Sequence, residues 1–146
     1  MIRKRIIIIS IIVVGLITFI GISQITNAKL VEPVKVSKQV EDFVLHVRIE
    51  QNEKGFQVLR ALEYKGEAEV EILHRTPLIS ISIDRNDHDF TGSPVSRKMD
   101  PGDKYARDPK YFEPLEEGTH TIFIHGQFYV NDELINIEEK REITFK

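Results

Sequence analysis

The sequence predicts an all-β domain, an antiparallel β-sandwich of about seven strands, preceded by one N-terminal hydrophobic helix. Three observations predict it. Beyond residue 29 no segment sustains a 3.6-residue apolar repeat, and apolar residues recur at every second position instead. Turn-forming residues separate these runs at roughly ten-residue spacing, the rhythm of stacked antiparallel sheets. Before them, Ile6 to Ile22 is a 17-residue apolar run interrupted only by Ser10, Gly15, Thr18 and Gly21.

The first 28 residues follow the plan of an export signal. Arg3, Lys4 and Arg5 form a positive head, the apolar run follows, and Ser23 to Ala28 is polar with small residues. Two readings fit. Thr26 and Ala28 supply the small side chains of a cleavage site after Ala28, leaving Lys29 as the new N-terminus. Alternatively the run stays as a signal-anchor; as a helix it spans about 25 Å, just short of a hydrocarbon core of roughly 30 Å. Either way the basic head stays in the cytoplasm and the rest faces outward. The expected location is extracytoplasmic, secreted or anchored in the cell membrane through residues 6–22.

Residues 29–40 read as a spacer or first edge strand, because Val34 and Val36 alternate while Pro33 argues against a central position. The sandwich is expected over residues 41–146. Phe43, Leu45, Val47 and Ile49 alternate with His46, Arg48 and Glu50. Asn52 to Gly55 closes a hairpin onto Phe56–Tyr64, a less clean strand because Leu59 and Ala61 fill its second face. Lys65-Gly66 reads as a two-residue hairpin loop into the strand around Ala68, Val70 and Ile72. Ile79, Ile81 and Ile83 alternate with Ser80, Ser82 and Asp84.

Arg85 to Pro114 is the least regular stretch and holds four of the six prolines. It has room for short edge strands around Val95–Met99 and Lys104–Ala106, and its length marks it as a decorated crossover or functional loop. Pro101-Gly102-Asp103 and Glu116-Glu117-Gly118 are turn signals. A long strand, Thr119 to Val130, turns at Asn131-Asp132 into the last one, Glu133 to Phe145, with an irregularity expected among Glu138, Glu139 and Lys140.

Arg60 to Glu67, Val70 to His74, Pro77-Leu78, Asp100 to Asp103 before a strand, and Leu115 to Thr119 before the penultimate strand together resemble small immunoglobulin-like domains of exported bacterial proteins. The resemblance covers about residues 40–145 and rests on turn-and-strand motifs. It implies an Ig-like sandwich of the inhibitor-like or adhesion-like kind, with no catalytic motif to carry over. The Cys and Trp of the antibody-type core are absent, since the chain has neither.

Composition narrows the function. The chain of 146 residues has no cysteine, which removes disulfides, thiol chemistry, cysteine metal sites and a lipidated cysteine anchor. Beyond residue 28 there are 17 basic and 23 acidic residues, a net charge of −6, so no basic field awaits nucleic acid. No G-x-S-x-G, S-x-x-K, H-E-x-x-H or glycine-rich phosphate loop occurs. No catalytic residue, cofactor or metal ligand is assigned.

The remaining clusters each have two readings. Asp84 to Asp89 offers oxygen ligands for a cation, but a calcium loop would want Gly at 89 and Glu at 95, where Asp and Val stand. The other reading is a solvated turn. His120 and His125, five apart on one strand, point to opposite faces and cannot share a metal. Glu67, Glu69 and Glu71 line a wet strand face. Tyr105, Arg107, Lys110, Tyr111 and Phe112 form the one basic-aromatic segment, a candidate partner-binding loop for a protein or cell-envelope component. Their alternative role is to cap the open end of the core. The function expected is a non-enzymatic binding module. The alternatives are a membrane-anchored accessory subunit of an envelope complex, and a hydrolase whose carboxylates and histidines converge in space.

Overall fold

The computed structural model describes residues 27–146. The N-terminal helix expected over residues 6–22 and the cleavage site's Thr26 lie outside the described residues. Among those described, the chain forms nine strands: β1 (Val34–Val40), β2 (Phe43–Asn52), β3 (Gly55–Tyr64), β4 (Val70–Arg75), β5 (Ile79–Ile83), β6 (Pro94–Met99), β7 (Lys104–Phe112), β8 (Gly118–Val130) and β9 (Glu133–Phe145). The fold is all-β and every pairing is antiparallel.

Two sheets enclose one core, consistent with a β-sandwich. One sheet has the order β1-β2-β3-β7. In the other, β9 lies along one edge of β8, and β4 and β5 share its opposite edge, with β6 beyond β4. Thr76-Pro77, a cis peptide, marks the break between β4 and β5.

The alternation seen in the sequence sets the core. Leu45, Val47 and Ile49 from β2, Phe56, Val58 and Leu62 from β3, and Ile122, Ile124 and Phe128 from β8 point inward and are buried. Each such side chain contributes roughly 1.5–3 kcal/mol. Phe43 joins the sheets through an edge contact with Phe128, ring centroids 4.7 Å apart. At the opposite end Phe56 packs between Phe112 and Phe145.

The tight turns are where the sequence places them. Asn52 pairs with Gly55 across the β2–β3 turn. Asn131 and Asp132 take φ values of 49° and 65°, the doubly left-handed turn whose twist suits a two-residue hairpin. Lys65-Gly66 is different from its expected role. β3 and β4 lie in different sheets, so this segment is a crossover. Tyr64 Oη donates to Ala68 O at 2.8 Å and holds the crossover in place. The β8–β9 register runs unbroken from Gly118–Phe145 to Val130–Glu133, so Glu138 to Lys140 holds no irregularity.

The extra strands come from edges. Pairing with β2 turns the spacer into β1, and the irregular Arg85–Pro114 region supplies β6 and a nine-residue β7. Their short or interrupted apolar alternation is what an edge strand, buried on little more than one side, requires.

The two long sides of the fold close differently. On one, Lys29 and Val31 cross over and pair with Lys146 and Thr144 by backbone hydrogen bonds. On the other, β7 faces β4, β5 and β6, and side chains make the join.

Candidate functional site

The segment expected as a binding loop is an edge strand, β7, with a bulge. Val58 of β3 pairs with Lys110, but Arg60 pairs with Arg107, so β7 carries one residue more than β3 over this span. Pro109 lies within the extra stretch and has no N–H to give to a ladder, which makes this a place where a bulge costs little. The bulge resets the alternation. Tyr105 and Arg107 point toward the opposite sheet before it, and Lys110 and Phe112 do so after it. Tyr111 alone of the five faces outward, with 67% of its surface exposed.

The inward group meets partners that lie far away in the sequence. Two guanidinium groups lie over Tyr105, Arg97 of β6 at 5.1 Å and Arg107 at 5.0 Å from its ring centre. Arg107 Nη1 donates to Tyr105 Oη at 2.8 Å. Buried His74 of β4 donates through Nδ1 to Arg75 O at 2.8 Å, leaving Nε2 to accept from Tyr105 Oη at 3.4 Å. Burial, aided by the Arg107 charge and opposed by the Arg75 carbonyl, pulls the His74 pKa down and keeps the ring neutral.

Farther along the seam, two cations reach the exposed carbonyl edge of β5. Arg60 Nη1 donates to Ile79 O at 2.7 Å, and Lys110 Nζ donates to Ile81 O at 3.1 Å. Arg60 Nη2 also donates to Asp108 O at 3.0 Å, while its Nε is buried with no partner. Burial, then Arg107, lowers the Arg60 pKa, and Asp108 partly opposes them; burial, then Arg60, lowers that of Lys110. Among the described residues, none of Arg60, Arg97, Arg107 and Lys110 forms a salt bridge. The seam is therefore a concentration of uncompensated positive charge on an otherwise acidic domain.

Sequence reasoning missed Arg60, Arg97 and His74. Arg60 had a signal: it occupies an inward position between Val58 and Leu62, where the alternation calls for an apolar residue. Arg97 had none, since its approach to Tyr105 depends on how two sheets meet.

The other clusters resolve as follows. The Asp84 carboxylate accepts from His120 at 2.7 Å and from Thr121 N at 2.8 Å, and Asp89 accepts from Thr91 N at 3.0 Å. These carboxylates tie the loop after β5 to its surroundings, and among the described residues no three His, Cys, Asp or Glu side chains are grouped to hold a metal ion. The loop then lays His88 and Phe90 against His125, on the outer face of β8. His120 instead packs on core residue Phe145. Glu69 pairs with Lys98 at 3.3 Å and Glu71 accepts from Ser96, so this acidic face is shared with β6.

On the outer face of the β1-β2-β3-β7 sheet, Ser37, His46, Ala61 and Ala106 stand in one cross-strand row. The two alanines help floor an open groove of about 310 Å³, rimmed by Lys35 and Arg48. Ser37 Oγ lies 2.9 Å from His46 Nδ1, and His46 Nε2 lies 2.6 Å from Glu63 Oε2. The hydrogen bond from His46 lowers the Glu63 pKa.

No family model matches the chain, and a search of curated proteins finds no relative.

Proposed function

We infer that this is a non-enzymatic, extracytoplasmic binding module with an Ig-like sandwich, whose working surface is the β7 side. The observation that carries the reading is the seam itself. Arg97 and Arg107 lie over Tyr105, Lys110 lies over Phe112 and Arg60 stands beside Arg107 along the β7 edge, none with a carboxylate partner among the described residues, and Tyr111 is exposed next to Lys110. Arg and Tyr are the residues that dominate binding energetics. The export-signal plan of residues 1–28 supports a surface outside the membrane, as a secreted domain or as the outward part of a membrane-anchored accessory subunit of an envelope complex. The partner is a protein or cell-envelope component; the acidic body away from the seam disfavours nucleic acid.

Site-directed photocrosslinking in the native host tests this. A photoreactive residue at Tyr111 should capture a discrete partner, and one at exposed Glu142 on β9 should not. Equal capture from both positions, or none from either, would dismiss the β7 side as the working surface.

A second reading, hydrolysis, has one specific observation behind it. Ser37, His46 and Glu63 form a relay in which His46 Nδ1 faces the serine hydroxyl as a base would, while Glu63 holds the Nε2 side of the ring. Ser37 lies on an open, solvent-exposed sheet face, where no enclosed site excludes water, and binding is therefore the leading reading. Labelling of wild type by a fluorophosphonate, lost in Ser37→Ala, would support hydrolysis; no labelling would remove it.

A further inference from the structure

We propose that Arg60, Arg97, Arg107 and Lys110 form a site for an extended, phosphate-bearing anion that lies along β7. The proposal rests on the binding-module reading and names its ligand class. Four lines of observation converge. These four cations come from three strands, β3, β6 and β7, and no carboxylate pairs with any of them among the described residues. Arg60 Nε is buried and unpartnered, a donor with no acceptor at a seam where every other nitrogen named above has found one. Arg97 and Arg107 both lie within about 5 Å of the Tyr105 ring centre, and Arg107 also donates to Tyr105 Oη, so the ring gathers two cations before any ligand arrives. Asp108 is the carboxylate closest in influence to Arg60, and it is solvent-exposed and in contact only through its backbone.

The chemistry favours phosphate over carboxylate. A carboxylate has two oxygens in one plane, and a single guanidinium fork saturates it. Phosphate spreads its oxygens tetrahedrally, so guanidiniums arriving from different strands can engage it together. The charges also recur along the strand. From Tyr105 to Lys110 the rise is about 17 Å at strand spacing, less the shortening at the bulge. An anion with repeated negative charge meets Arg97 near one end, the cross-strand neighbours Arg60 and Arg107 midway and Lys110 near the other end; a single small anion meets only part of this row. The bulge and Pro109 matter here as well. They block addition of a partner strand along the edge, so recognition falls to the side chains.

The experiment uses the full chain in nonionic detergent at fixed ionic strength, with linear polyphosphate as the probe and inorganic phosphate and polyglutamate as comparisons. Titration calorimetry should show polyphosphate binding at least about tenfold tighter than either comparison. The double variant R97S/R107S should weaken polyphosphate binding by a similar factor while its melting curve confirms that it is folded. Binding unchanged in R97S/R107S would overturn the site, and polyglutamate binding as tightly as polyphosphate would overturn the assignment to phosphate. Phosphatidylglycerol in the micelles, at matched phosphate concentration, separates the sources: competition would place the phosphate on a lipid headgroup, and no competition on a free polymer. Failure of polyphosphate to bind, with Tyr111 crosslinks intact in cells, would reject the anion and leave the binding module standing. Failure of both would reject both.

Discussion

Tyr111 and Phe112 are adjacent aromatic residues on β7 with opposite roles, and truncating each to alanine should separate them cleanly. Phe112 is half-buried and stacks on fully buried Phe56, with centroids 5.0 Å apart and planes 6° from parallel. Lys110 Nζ lies 5.0 Å from its ring centre. Removing the ring of a half-buried Phe loses about 1–2 kcal/mol of burial. The lost aromatic stack adds roughly 1 kcal/mol. The expected cost of Phe112→Ala is thus about 2–3 kcal/mol. For a domain of this size each kcal/mol shifts Tm by roughly 3–5 °C, so Tm should fall by about 10 °C. Tyr111 is 67% exposed and its side chain makes no hydrogen bond or ring contact among the described residues, so Tyr111→Ala should change stability by less than about 0.5 kcal/mol. Far-UV circular dichroism melting of the full chain in detergent measures both. Equal Tm losses would show that Tyr111 also caps the core and would refute the parity reset at the bulge. A silent Phe112→Ala would refute the packing of β7 over Phe56.

Two further predictions concern the ends of the fold. The Asp84–His120 pair should make stability depend on pH with a definite sign. The hydrogen bond to Asp84 raises His120 above its ordinary 6.5, so that contribution is complete below 6.5 and fades as pH rises through the folded value. The hydrogen bond from His120 lowers Asp84 below its ordinary 3.8, so its contribution is complete above 3.8 and is lost in stronger acid. The gap in urea midpoint between wild type and Asp84→Asn should therefore be widest between these two values and shrink above neutral pH; a gap that widens toward alkaline pH would show the pair has been misread. Among the glycines, a methyl group at Gly66 would collide with the Tyr64 ring that braces the crossover, whereas Gly102 has φ +87° and open space around it. Gly102→Ala should cost about 1 kcal/mol of backbone strain, and Gly66→Ala clearly more, as read from denaturant midpoints; the reverse order would refute the Tyr64 brace.

Local patterns carried most of the strand assignment. Alternation in Phe43–Ile49 and Ile79–Ile83 specified which residues face inward, because a strand places every second side chain on the same face whatever lies across from it. The Asn131-Asp132 hairpin was equally legible, since its left-handed φ values are a local preference of Asn and Asp. Lys65-Gly66 looked like a hairpin because a turn between two alternating runs has the same local chemistry whether the next strand pairs in the same sheet or crosses to the other. The β7 segment looked like a loop because an edge strand with a bulge and a proline lacks a continuous apolar face.

The sequence by itself determined the all-β class, the inward-facing residues of the central strands and the absence of thiol chemistry. Each of these follows from short-range periodicity or composition. It also singled out Tyr105, Arg107, Lys110, Tyr111 and Phe112 as a basic-aromatic group. Only the tertiary structure decided that four of these turn inward and one outward, because that depends on a single extra residue in the pairing with β3. Only the meeting of the two sheets brought Arg97 and His74 to Tyr105, and only the β3–β7 register set Arg60 beside Arg107. Side chains 8 to 50 residues apart have no local signature of their contact, since what joins them is the packing of strands whose order is set by the core as a whole.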